Sequence, residues 1–376
     1  FYEGIDEIYD NMDNMSYNLY AHMDNMSNAI TNLRQNTIEI SYDIDDLYSD
    51  VDNLWSTIYD IQMEMDNMSY EMHEMQERIN ELENLTSCRL VPYSNCAGAD
   101  FNSTDLSWMN LEGINLQGAN LAEANLTGTY FGYAELTNAD FEHAILDYVD
   151  FEYATLIEAE LRYAELKYTD LKNADLTDAR LTYANLTNAN LYNTDLTNAH
   201  LEYADLTDAS LQYADLTSAS LEYTNLTNAN FYRTDLTLAY LGYADLTDAR
   251  LGYAILKKAN LYDANLMNAD LRYTDLTDAS LQSADLTNAN INYADLTGAD
   301  LYYADLTDAN FIEADLTDAR LYNADLTDAS LTSANLMGAD LRYADLTGAD
   351  LYYADLTDAS LQYADLTDAD LRYTDL

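Results

Sequence analysis

Residues 204–216 read Ala204-Asp205-Leu206-Thr207-Asp208-Ala209-Ser210-Leu211-Gln212-Tyr213-Ala214-Asp215-Leu216. Leu stands at every fifth place, and Ala stands two places before each Leu. The phase holds outward in both directions without a slip. Phe101 to Leu376 contains 56 such centres, of which 49 are Leu, six are Phe and one is Ile291. A period of five fits neither a helix nor a flat strand. A chain that turns a corner every five residues does fit. One large and one small side chain per pentapeptide point inward, and each coil pairs its backbone groups with the coils above and below. Proline would remove a ladder donor, and none follows Pro92.

The pattern A(D/N)Lxx resembles the pentapeptide repeat family over residues 101–376. The resemblance implies a β-solenoid, a right-handed quadrilateral β-helix with four pentapeptides per square coil. The centre and the small residue before it would point inward, and the other three positions outward. The 56 pentapeptides then make about 14 coils, roughly 67 Å of rod at ~4.8 Å per strand step. Trp108, Met109 and Ile114 make the first coils less regular, and a local distortion or a contact is expected there.

A second period precedes the rod. Over residues 1–86 apolar side chains fall at heptad spacing, with a phase jump of four between Leu19 and Met23. The seam from Met23 includes Ile30, Leu33, Ile40, Ile44, Leu47, Val51, Leu54, Ile58 and Ile61. No Pro and no interior Gly interrupts it, so a long α-helical coiled-coil stalk is expected, preceding the β-helix. The acids Asp43, Asp50, Glu64 and Glu71 occupy g positions and would face neutral e positions in a parallel assembly, but one another in an antiparallel one. Tyr48 and Trp55 at e widen the apolar face, which suits three helices better than two. A parallel trimer is expected over a dimer. The hinge or N-terminal cap, 87–100, holds Cys88 and Cys96, the chain's two cysteines. They would bridge within the chain or between neighbouring chains, and either bridge needs an oxidising compartment.

The composition limits function. With 68 acidic and 15 basic residues the net charge is −53, which excludes a nucleic-acid binder that works by neutralising phosphates. No apolar run is long enough to cross a membrane as a helix. The chain starts at Phe1 without Met, which reads as a processed or trimmed start.

Within the rod, residues twenty apart should stack. Tyr163, Tyr183, Tyr203, Tyr223 and Tyr243 then form an exposed ladder, and Tyr253, Tyr273 and Tyr293 a second on the opposite face. Such rows would stiffen the rod or meet a neighbouring rod or carbohydrate. Asp275, Asp295 and Asp315 should form a column that repels itself, a candidate for Ca2+ or other cations. Eight sequons, at Asn14, Asn25, Asn67, Asn84, Asn102, Asn125, Asn185 and Asn225, are candidates for glycosylation. No catalytic motif appears and no cofactor is expected, so the chain reads as a non-enzyme.

Three functions follow. The first is a structural protein of an extracellular filament, fibre or cell-surface coat, with itself as partner. The second rests on the resemblance: some pentapeptide proteins inhibit DNA gyrase as acidic mimics of duplex DNA. The third is a viral receptor-binding fibre. The last repeat, Arg372 to Leu376, is in phase and carries no cap, so end-to-end contact between rods is expected.

Overall fold

The computed structural model describes residues 88–376 together with Met26, Thr57, Ile58, Ile61, Gln62, Met63 and Met65. The chain divides into two units, Phe1–Arg78 and Ile79–Leu376.

In the second unit, residues twenty apart form parallel bridges from Asn95↔Asn115 to Asp355↔Asp375. Four pentapeptides therefore make each coil, and 14 coil steps separate Asn95 from Asp375. Around Leu206 every backbone N–H of the pentapeptide has a partner. Asp205 donates to the Ala184 carbonyl (2.9 Å), Leu206 to Asn225 (2.8 Å), Asp208 to Thr227 (3.0 Å) and Ala209 to Leu206 (3.0 Å). The fifth, that of Thr207, donates to Oδ1 of Asp205 at 3.0 Å. Where the residue before the centre is Asp or Asn, as at Asp205, the choice has a structural reason. Its short side chain folds back over the turn and takes the one donor the coils leave over.

The corner has a second requirement. Every residue two after a centre, from Tyr93 to Tyr373, has φ in the left-handed region: fifty are not glycine, at +51° to +66°, and seven are. Gly, Asn and Asp enter that region at little cost, whereas a bulky residue is held there against a penalty of about 1–2 kcal/mol.

The core is a stack of centres flanked by small residues. Leu206 and Ala204 are 0% and 1% exposed, and the pattern repeats through the rod. Each buried Leu contributes roughly 1.5–3 kcal/mol. Where Thr fills a small slot its hydroxyl still needs a partner. Thr129, Thr169, Thr194 and Thr224 donate to the carbonyls of Leu106, Leu146, Leu171 and Leu201 at 2.8–2.9 Å.

At the start of the rod, where the sequence predicts a distortion or a contact, the structure shows a contact without a distortion. Within the segment 87–100, read as a hinge or N-terminal cap, repeat geometry already runs from Tyr93, with the bridge Asn95↔Asn115 and Cys96 buried at a centre position. Leu90 is buried as well. The irregular residues that follow distort nothing, since bridges run unbroken through Asp105 and Asn110. Met109 and Ile114 are buried in small-residue slots. Trp108 stays exposed, and its ring lies over Gly128, where a Cβ would come within 2.3 Å of it.

Of the stalk seam, Ile58 and Ile61 are described; both are helical and about half exposed, at 49% and 50%. Met26 and Met65, also seam positions, are helical and exposed. Ile30, Leu33, Ile40, Ile44, Leu47, Val51 and Leu54 lie outside the described residues, and the coiled coil is not shown by the structure.

Candidate functional site

The outward positions alternate in chemistry around the square. Centres ending in 1, such as Leu201, serve two opposite faces, and centres ending in 6, such as Leu206, serve the other two. On the first pair the left-handed residue is mostly Tyr; on the second it is mostly Asp, Asn or Gly. Charge divides the same way. Over 171–376, outward positions on the tyrosine faces hold nine acidic and eight basic residues, and those on the aspartate faces hold 25 acidic and two basic.

Tyr163, Tyr183, Tyr203, Tyr223 and Tyr243 stack face to face at centroid spacings of 5.0, 4.9, 4.9 and 4.7 Å. His143 extends the row at 4.8 Å from Tyr163, and Tyr262 closes its other end edge-on to Tyr243 at 5.5 Å. Tyr253, Tyr273 and Tyr293 form the opposite row at 4.7 and 4.8 Å. The spacing is set by the coil step, so stacking follows from register. Each stacked pair is worth about 0.5–1.5 kcal/mol beyond its area.

The aspartate column is tied into its own turns. Oδ1 of Asp275, Asp295 and Asp315 accepts the backbone N–H of Thr277, Thr297 and Thr317 at 2.9–3.2 Å. Lys257 Nζ lies 2.9 Å from Oδ2 of Asp275. Burial pushes the Asp275 carboxyl up, but the hydroxyl of Thr277 and the ammonium of Lys257 hold it below its ordinary value. Among the described residues no group of three or more His, Cys, Asp or Glu is arranged to hold a metal ion. Each carboxylate of this column is thus engaged by the turn of its own pentapeptide.

Three open clefts, of about 510, 340 and 360 Å³, lie on the tyrosine faces. Arg180, with Arg162 and Tyr183, lines the first; Arg250, with Arg272 and Tyr253, the second; Arg320, with Arg342 and Tyr322, the third. Arg180 reaches Glu160 at 3.1 Å, and Arg272 and Arg342 close on Asp270 and Asp340 at 2.7 and 2.6 Å. Those guanidiniums hold the two aspartates below the ordinary carboxylate range. In the first cleft Glu202 pairs with Nδ1 of His200 at 3.1 Å and accepts from Thr182 at 3.0 Å. Acids and bases here neutralise one another, and no carboxyl is set apart as a general acid. The eight arginines from Arg162 to Arg372 all sit on tyrosine faces. Sequence reading missed this, although the offset of each Arg from its centre was there to be counted.

Cys88 and Cys96 are brought together, with Cα atoms 5.3 Å apart, and are joined as a disulfide within the chain. Among the sequons, Asn102 is exposed. Asn125, Asn185 and Asn225 are half-buried, and their Nδ2 groups donate to Asp105, Glu165 and Thr207 of the preceding coil at 3.3, 3.1 and 2.9 Å. Their Asn-Leu-Thr is the repeat itself. Asn14, Asn25, Asn67 and Asn84 lie outside the described residues. No helix among the described residues is long and apolar enough to cross a membrane.

The chain is similar to HetL, a pentapeptide repeat protein involved in heterocyst differentiation regulation in the cyanobacterium Nostoc. The identity is 32%, covering 72% of this chain and 90% of HetL, with a TM-score of 0.19. Rfr23 from the cyanobacterium Cyanothece is 33% identical over 31% of this chain and 63% of its own, with a TM-score of 0.12. QnrB1, a plasmid-mediated fluoroquinolone resistance protein, is 17% identical over 56% of this chain and 92% of its own, with a TM-score of 0.25. Among curated proteins none matches. The pentapeptide repeat profile matches in segments running from 84–118 to 349–376, and the chain belongs to the pentapeptide repeat family.

Proposed function

We propose that this chain is a non-enzymatic structural protein, a building block of an extracellular filament, fibre or cell-surface coat. The observation that carries the reading is the surface itself. Side-chain rows of one pitch run along the rod, and the clefts beside them are open and internally neutralised. Such a surface suits repeated contact with another extended object better than the enclosure of a substrate. The Cys88–Cys96 bridge supports an oxidising, secreted setting. The exposed seam residues Ile58 and Ile61, both helical, support a stalk that assembles with copies of itself as a parallel trimer. Carbohydrate is a second partner that the stacked phenols would accept.

The aspartate faces favour a second reading, an acidic mimic of duplex DNA. Duplex DNA is charged all the way round, however, whereas two of these four faces are nearly neutral over 171–376. A viral fibre would share the stalk-and-rod plan. Immunogold electron microscopy of the native source tests all three. Label on filaments or a surface coat is the expected result. Label confined to virions selects the third reading, and label confined to the nucleoid overturns the structural one.

A further inference from the structure

The three clefts are one cleft repeated. Ala-Asp-Leu-Thr-Asp-Ala-Arg occurs at 174–180, 244–250 and 314–320, a spacing of 70 residues. Gln212 and Gln282, Tyr232 and Tyr302, and Arg272 and Arg342 keep that spacing, and all line the later two clefts. Seventy residues are three and a half coils. Arg180 and Arg320 therefore share one tyrosine face, and Arg250 lies on the opposite one, at axial steps of about 17 Å.

We propose that the tyrosine faces, with these arginine clefts, dock side by side on the aspartate face of a second copy of this chain. The proposal deepens the structural reading above and rests on it. Charge selects the pairing. Two aspartate faces repel, with 25 acidic against two basic outward residues over 171–376. The tyrosine faces are nearly neutral there, and their guanidiniums stay exposed although paired within the face, Arg180 with Glu160 at 3.1 Å and Arg320 with Asp300 at 3.7 Å. The side chains of Arg180 and Arg320 are 56% and 70% exposed.

Pitch makes the pairing extend along the rod. The phenols repeat at 4.7–5.0 Å, once per coil. The aspartates bridge coil to coil in the same step, as in Asp275↔Asp295↔Asp315. A row of O–H donors then faces a row of carboxylate acceptors, and no mismatch accumulates. The turn bond at Asp295 and Asp305 uses Oδ1, which leaves the second oxygen to meet a partner. A rod of roughly 67 Å with a face ~10 Å wide buries about 700 Å² per partner, close to the ~800 Å² of a standard interface. Because the clefts lie on two opposite faces and the aspartates on the two between them, each rod can engage neighbours on all four sides, and the contact propagates into a square-packed bundle of rods.

The test uses the full chain, oxidised, at 50 and 500 mM NaCl, by sedimentation velocity and small-angle scattering. Side-by-side association is expected at high salt and should be at least tenfold weaker at low salt, where two chains of net charge −53 repel with little screening. Combining Arg180→Glu, Arg250→Glu and Arg320→Glu should abolish it with the thermal midpoint unchanged. Combining Arg180→Lys, Arg250→Lys and Arg320→Lys should retain it. A charge-reversed chain that associates side by side like the wild type overturns the docking and leaves the structural role standing. A wild-type chain that never rises above its stalk oligomer overturns both. Dispersed wild-type rods that bind heparin through the same arginines would assign the clefts to an anionic glycan and overturn the docking alone.

Discussion

The tyrosine and aspartate faces meet the same corner by different physics. Both place the second residue after the centre in the left-handed region, at +60° for Tyr203 and +58° for Asp208. Asp tolerates that conformation by itself, and the neighbouring Asp205 takes the turn's spare N–H. An aspartate-face corner therefore holds its left-handed backbone without needing a stacked side chain from the next coil. A Tyr corner does not. Its backbone penalty is offset by rings one coil above and below, so a tyrosine face holds as a row. One face is encoded within each pentapeptide, and the other between pentapeptides twenty residues apart.

The largest effect should ignore this difference. Leu201→Ala lies beneath a tyrosine face and Leu206→Ala beneath an aspartate face, and both centres are fully buried. Each should cost about 2–5 kcal/mol, by lost transfer energy plus a cavity. Native-state hydrogen exchange on the adjoining coils reads this without assuming that a long repeat array unfolds in one step. A marked inequality between the two would mean that the faces do not share one core.

The faces should part at the next level. Tyr203→Ala loses two stacked neighbours and keeps the left-handed backbone, for a loss of about 1–3 kcal/mol. Tyr203→Gly loses the same rings but relieves the backbone, so it should be milder than Ala by up to ~1 kcal/mol. On the aspartate face, Asp205→Ala should cost about 1 kcal/mol for an uncapped N–H, whereas Asp205→Asn should be nearly neutral. An equal loss from Asn would show that charge, rather than the turn bond, fixes that residue.

The smallest effects per residue come with pH, and they fall at opposite ends of the scale. The hydroxyls of Thr357 and Thr367 hold Asp355 and Asp365 below their ordinary range. A carboxyl depressed on folding contributes stability above its unfolded value, near pH ~4, and that contribution is lost as pH falls through the lower folded value. On a tyrosine face the bidentate contact from Arg372 brings Asp370 down to about 2, so this corner should be the last to protonate. Phenols behave in the opposite sense. Burial raises Tyr243, and hydrogen bonds with Tyr303 and Tyr353 raise Tyr302 and Tyr352. Their contribution is complete below pH ~10 and is lost as pH rises through the folded value. Acid should loosen the Thr357 and Thr367 amides first, seen by exchange. Tyr243, Tyr302 and Tyr352 should ionise at higher pH in the folded rod than in the unfolded chain, read as the tyrosinate absorbance each loses on substitution by Phe.

Much of this was legible in the sequence. A strict five with Leu at its centre leaves one geometry in which every fifth side chain is buried, and a stack of twenty-residue coils puts Tyr163 over Tyr183. The left-handed corner was hidden because Tyr is a poor marker for it; only the Asp, Asn and Gly of the other faces carry that signal. Asp275 reads from sequence as a repelling surface charge, because its bond to the Thr277 amide exists only once the corner is turned. Cys96 concealed the start of the rod by standing where Leu was expected. The clefts needed a count at 70 residues, far longer than the repeat that first draws the eye.

The distinction between the two kinds of face is tested most directly by a pair of double-mutant cycles, one across Tyr203 and Tyr223 and one across Asp208 and Asn228. Each pair lies one coil apart at equivalent corners, and the tyrosine rings are 4.9 Å apart. With Ala as the replacement, the tyrosine pair should couple by about 0.5–1.5 kcal/mol. The aspartate-face pair should add within about 0.3–0.5 kcal/mol. Tyrosines that prove additive, or polar corners that couple as strongly as the tyrosines do, would contradict the claim that one face is held row by row and the other corner by corner.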